Sequence, residues 1–321
     1  MNRLFFLTLL LGLSGLYSCG ERLAPSEKIS RLEADGPVRA LHFFDANEGF
    51  VAGGERFFET ILKHTADGGD NWTTRIPEPA FGQAVFGIDF WNRQRGVACG
   101  VGGKYLWTQD GGDTWRVVQS QYWRQMQDIA FADSQVVISV GGTGYSSGIM
   151  ERSTNGGLNW ALVDTFDFEL RAVHFVDAQV GFACGYGVIL KTSDSGLSWD
   201  FTEARREFFS DIDFPSSQVG YAVGRTGTIL KTTDQGETWT RLRNGNLVFN
   251  PAHRYHAIDF VDNEIGYVAG DNGVLMKTTD GGKSWQKVAL SFEQDWWDIQ
   301  LLTDGKMVLG GADGSFLLLQ E

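Results

Sequence analysis

Cysteine, proline, histidine and methionine are all scarce: 321 residues carry 3, 6, 5 and 5 of them. So few cysteines exclude a disulfide-dense scaffold. Cys99 and Cys184 occupy the same place in two related segments, Gly96-Val97-Ala98-Cys99-Gly100 and Gly181-Phe182-Ala183-Cys184-Gly185, with one further repeat between them. That separation is too wide for the short Cα distance a disulfide needs, so both read as small buried apolar residues. No Cys/His cluster has metal-ligand spacing, and no metal or cofactor is predicted. Positive charge is also short, with 27 Lys and Arg against 40 Asp and Glu and a net charge of −13. Such a balance excludes non-specific binding to nucleic acid or to an anionic membrane surface. Sustained helical periodicity is missing, and the apolar run at residues 4–13 is too short to span a bilayer. A dinucleotide fingerprint is missing too, because Gly100-Val101-Gly102-Gly103 falls in a hairpin with no helix to receive a pyrophosphate.

What is present is glycine, 41 residues of it, and one eight-residue pattern used six times. Thr278-Thr279-Asp280-Gly281-Gly282-Lys283-Ser284-Trp285 is the clearest copy. The others end at Trp72, Trp115, Trp160, Trp199 and Trp239, with Asp67, Asp110, Asp194 and Asp234 at the acidic position and Asn155 in the third copy. Short apolar runs alternate with Gly/Asp/Asn turns, which is an all-β pattern. Roughly forty residues separate successive copies, the period of a four-stranded propeller blade. In each turn the short Asp accepts nearby backbone N–H groups, Gly supplies the left-handed conformation, and Trp anchors the seam between sheets. One carboxylate per turn is far from the oxygen set that Ca²⁺ requires.

A second recurring segment is an inner strand of the Asp-Ile-x-Phe kind. It appears as Leu41-His42-Phe43, Ile88-Asp89-Phe90, Ile129-Ala130-Phe131, Val173-His174-Phe175, Ile212-Asp213-Phe214, Ile258-Asp259-Phe260 and Ile299-Gln300-Leu301. Seven inner strands predict a seven-bladed β-propeller of four-stranded blades. The last blade lacks its own outer strand, and Ile29-Ser30-Arg31-Leu32-Glu33 resembles one, so the N-terminal strand is predicted to join the last blade and close the ring. Residues 1–19 resemble a bacterial lipoprotein signal, with Leu16-Tyr17-Ser18 ahead of Cys19 as the lipid attachment point. The predicted organisation is signal 1–19, tether 20–28 and propeller 29–321, in an extracytoplasmic lipoprotein facing the periplasm or the cell surface.

The eight-residue pattern resembles the Asp-box, or BNR repeat, of sialidases, sortilin-type receptors and the photosystem II stability/assembly factor family. The longer unit around Asp211 to Trp239 and Ala257 to Trp285 is most similar to the last of these, whose propellers are seven-bladed. The resemblance implies a non-catalytic propeller that assists assembly. It extends poorly to sialidases: Arg75-Ile76-Pro77 follows the first box where their arginine segment precedes it, and no arginine triad or Tyr–Glu pair stands out. Asp128, Asp211 and Asp298 are the carboxylates near the channel that a glycosidase of another kind would need.

In such a ring the repeats stop resembling one another at the connectors between blades. That face gathers Tyr122, Trp123, Arg124, Arg205, Arg206, His253, Arg254, Tyr255 and Trp297, with Arg39, Arg171 and Arg225 at the same edge. Arg, Tyr and Trp dominate protein interface energetics. The function predicted is a lipid-anchored scaffold that binds a protein partner, or assists assembly of a membrane complex, through this aromatic and arginine-rich face. It touches the membrane only through its lipid. The alternative is a carbohydrate-active protein, a glycoside hydrolase or glycan binder, with Trp123, Trp297 and Tyr255 as sugar platforms.

Overall fold

The computed structural model describes residues 26–34, 36–77, 82–244, 253–291 and 293–320. Cys19, the signal segment and most of the tether lie outside these residues. The chain is all-β and forms a propeller around a central channel. Its inner strands neighbour one another in a closed ring: Val38–Phe43, Val85–Phe90, Met126–Phe131, Leu170–Phe175, the end of Asp200–Asp213, Tyr255–Phe260 and Trp296–Leu301.

The sheets correct the expected count. Seven separate four-stranded blades are not found; there are five four-stranded sheets and one of six strands. In the six-stranded sheet Gly181–Thr192 pairs first with Leu170–Phe175 and then with the start of Asp200–Asp213. The end of Asp200–Asp213 pairs with Gly220–Gly224. The physical reason lies in the connector Arg205-Arg206-Glu207-Phe208-Phe209. It holds neither Gly nor Pro to break the strand, so the backbone stays extended through fourteen residues and joins two repeats into one sheet.

Ser26–Arg31 pairs antiparallel with Ser315–Gln320 and becomes the outer strand of the last sheet. It starts at Ser26, so residues 26–28 of the segment read as a tether are paired strand. The strand is held on both sides: Lys28 Nζ lies 2.8 Å from Asp70, Ser30 Oγ donates to the Gly69 carbonyl at 2.8 Å, and Ser291 N donates to the Glu27 carboxylate at 3.1 Å.

In five repeats the second strand is buried along its whole length. Its glycines have steric tasks. The first sits opposite an inner-strand Phe, as Gly49 does Phe43, where a Cβ would stand 2.3 Å from the ring. The second receives the backbone of the inner strand: a Cβ on Gly270 would stand 1.9 Å from the Arg254 carbonyl oxygen. Hydrophobic clusters fill the seams between sheets, as where Phe50, Phe90 and Trp115 pack together and where Tyr105 stacks on Trp160 at 3.9 Å.

The six repeated turns share one hydrogen-bond pattern. In the last, Thr278 Oγ1 accepts from Gly282 N at 2.9 Å, while Asp280 accepts from Ser284 N and Ser284 Oγ. These donors hold Asp280 down at about 2, as Asn71 does for Asp67 and Thr238 for Asp234. Asn155 accepts from Ser153 Oγ and Asn159 N through its one oxygen.

Candidate functional site

All seven inner strands carry a β-bulge near their start. A bulge places two consecutive residues on one side of a strand. Here that side is the channel, so each repeat contributes a pair: Arg39-Ala40, Gln127-Asp128, Arg171-Ala172, Ser210-Asp211, His256-Ala257 and Trp297-Asp298, with Phe86 from the second repeat. Together they line a cavity of about 180 Å³ at the connector end. The first members form its mouth and the second members form a tier beneath.

The mouth is cationic. Arg39, Arg171 and Arg225 line it; Arg56 and Arg171 disfavour the charge on Arg39, and Arg225 and Arg56 that on Arg171, although burial is the larger cause that lowers both. Arg171 is held by Glu169 at 3.1 Å. One wall is a stack running through four repeats: Phe86 and Trp297 flank the Arg39 guanidinium at 5.2 Å each, and Trp297 lies 4.3 Å from His256. His256 Nε2 meets Asp271 Oδ1 at 2.5 Å. Burial depresses the imidazole despite that partner.

The tier beneath is acidic. Each of Asp128, Asp211 and Asp298 accepts two backbone N–H groups, one from its own strand and one from the next inner strand: Val173 for Asp128, Ile258 for Asp211 and Leu41 for Asp298. Burial pushes Asp128 up to about 7, Asp298 to about 8 and Asp211 well above its ordinary range, against the pull of those bonds. Further along the channel Asp89, Asp213, Asp259 and Gln300 make the same kind of crossing to Phe131, Phe260, Leu301 and Phe43. His42 and His174 face Asp89 and Asp213 at 3.4 and 3.9 Å across the two junctions that lack such a bond. The glycosidase candidates are thus bonded to the backbone as fasteners between strands.

The face residues named from sequence divide. Trp123 is 75% exposed, and Arg124, Arg205 and Arg254 are exposed beside it or around the rim. Arg124 reaches Ser147 Oγ at 3.0 Å and Arg205 lies over the Phe201 ring at 4.4 Å. Tyr122 and His253 are half-buried. Tyr255 is a correction: it is fully buried in the seam with Tyr221 and Phe260 and belongs to no surface. Trp297 lines the mouth rather than the outer face. No single groove therefore contains Trp123, Trp297 and Tyr255. The Arg206 side chain and the connector residues 245–252 lie outside the described residues. Missed from the sequence were Phe86, Gln127, Ser210 and His256 in the mouth, and Tyr145 beside it, which clusters with Tyr186 and Phe208 at ring centroids 4.0 to 6.1 Å apart. Reading the column immediately before the tier of Asp128, Asp211 and Asp298 in every repeat would have found the mouth.

A family model described as photosynthesis system II assembly factor YCF48 matches residues 160–242 and 202–295. Among curated proteins none matches the sequence. Solved structures match in fold. A structure of YCF48 bound to a D1 peptide has a TM-score of 0.71 at 17% identity, covering 92% of this chain and 97% of that one. YCF48 from Cyanidioschyzon merolae gives 0.69 at 17% identity, with 92% and 98% covered. A GH74 xyloglucanase from Xanthomonas campestris gives 0.70 at 11% identity, covering 91% of this chain and 53% of that one. At these identities the likeness establishes the architecture, and the chain is a β-propeller similar in fold to YCF48.

Proposed function

We propose that this propeller is a non-catalytic scaffold that binds a protein partner through its connector end. The observation that carries this is the gathering of Arg39, Arg56, Arg171 and Arg225 at one end of a chain whose net charge is −13. Like charges held together cost stability and mark places where a ligand of opposite charge supplies the compensation. Exposed aromatics sit at the same end, Trp123 and Tyr145 among them. The partner is a protein with an acidic, extended segment. The YCF48 structure with its D1 peptide supports the idea that a propeller of this shape presents a peptide-binding surface. Lipidation of Cys19 would hold the scaffold at a membrane in the extracytoplasmic space, where assembly of a membrane complex is the suited task.

The test is affinity capture from detergent-solubilised membranes with the full chain and with a triple variant, Trp123→Ala, Arg124→Ala and Arg254→Ala. These side chains are exposed, so the variant should melt as the wild type does. Loss of the captured partner is expected. Recovery of the same partner in the same amount would sink the assignment of this end.

A further inference from the structure

Two donors inside the mouth have nothing to bond. Arg39 Nε and Trp297 Nε1 are both buried, and neither has a hydrogen-bond partner among the described residues. They lie on the same wall, with the guanidinium of one 5.2 Å from the ring of the other. Seam tryptophans such as Trp72, Trp115 and Trp239 also leave a buried indole N–H unpaired, but Arg39 and Trp297 line a cavity in which a ligand can complete them. Across the cavity Arg225 adds a third donor, the second that is cationic, and makes no ion pair among the described residues. Arg171 is already occupied by Glu169.

We infer that the mouth binds one carboxylate group, clasped between Arg39 and Arg225 and lying against the wall formed by Trp297 and Phe86. A planar two-oxygen anion matches the guanidinium fork. A cavity of about 180 Å³ has room for one side chain or a short acid. The acidic tier of Asp128, Asp211 and Asp298 directly beneath sets the charge limit. A monoanion meets less repulsion there than a phosphate dianion does. The carboxylate has two chemical sources, the end or side chain of a peptide and a free small organic acid.

This deepens the proposed scaffold role, since a bound carboxylate would anchor the partner's segment at the centre of the connector end. Calorimetric titration of the full chain separates the sources. One arm uses acetate and succinate; a second uses an acidic hexapeptide with a free C-terminus; a third uses the same peptide amidated, with Gln for its acidic residues. Binding in the first arm assigns a free acid, and binding in the second arm alone assigns a peptide; either supports the site. Arg39→Gln and Arg225→Gln should each weaken that binding at least about tenfold, the loss of one charge-assisted pair. Arg225 follows the strand that ends at Gly224, whereas Arg39 lies within an inner strand, so the Arg225 variant remains informative if the other misfolds. Equal binding of the uncharged peptide, tighter binding of inorganic phosphate, or unchanged affinity in folded Arg225→Gln would overturn the inference. Capture of the membrane partner by the exposed-face variant reports on the scaffold role separately. A chain that loses its partner in that assay and still binds carboxylate keeps the mouth and discards the scaffold.

Discussion

A methyl group added at Gly112 would stand 2.4 Å from the Phe50 ring of the neighbouring sheet, on a backbone with φ of +80°. One added at Gly187, φ +83°, would meet nothing within 4 Å. The two positions separate backbone strain from packing. Gly187→Ala is expected to cost about 1 kcal/mol, the strain of a left-handed residue alone. Gly112→Ala adds overpacking of a seam and should cost about 2–4 kcal/mol. Urea unfolding of both variants checks the order, and equal midpoints would show that the repeated turn is not wedged against the sheet beside it. At this scale the sequence was informative where a residue repeats. The turn Asp, its Gly and its Trp stand out because the same geometry is needed six times. Phe86, Gln127, Ser210 and His256 share a structural position with Arg39, Arg171 and Trp297 but not their chemistry, so repetition conceals them. Tyr255 was misread for a related reason: its neighbours His253 and Arg254 are polar, and the fold turns between them and the seam.

The strand Ser26–Arg31 is the element on which closure depends. It covers Ser315–Gln320, whose Phe316, Leu317 and Leu319 are fully buried. Deleting residues up to Arg31 would leave that strand as an exposed apolar edge, the kind that recruits another chain. The truncated protein should melt at lower temperature and form concentration-dependent oligomers in analytical ultracentrifugation. A monomer of unchanged melting temperature would show that the last sheet is complete without it. The pairing was legible because Ile29-Ser30-Arg31-Leu32-Glu33 resembles the outer strand that the last blade lacks. The fusion of two repeats through Asp200–Asp213 was not. A connector is recognised by its breakers, and a polar segment without Gly or Pro reads as loop until its hydrogen bonds are seen.

Across the whole molecule the channel carboxylates give stability a pH dependence. Burial raises Asp298 to about 8 and Asp128 and Asp259 to about 7, while the unfolded chain releases these protons near 4. Between those values the native state holds more protons, so stability falls as pH rises toward 8. His174 acts at the other end. Burial lowers it to about 4, so its contribution is present above about 6.5 and lost as pH falls toward 4. The melting temperature should be highest below pH 6, where three carboxylates that keep their protons outweigh one imidazole, and should drop by at least about 4 °C between pH 6 and 8.5. Asp298→Asn removes one acceptor of a backbone N–H and lowers the whole curve, but should flatten its alkaline limb. A wild-type curve that rises from pH 6 to 8.5 would contradict the burial of these acids.

The direction of the first strand has a geometric consequence. Ser26 pairs with Gln320, at the end of the ring where the Asp-bearing turns lie, and Arg31 pairs with Ser315, at the connector end. The chain upstream of Ser26 therefore leaves from the end opposite the arginine mouth. On the proposed lipid tether the molecule would stand on its repeated turns, as on a row of identical feet, with the cavity directed away from the bilayer. Such a scaffold meets segments that project from the membrane or arrive from the aqueous side, rather than the lipid-facing flanks of its partner.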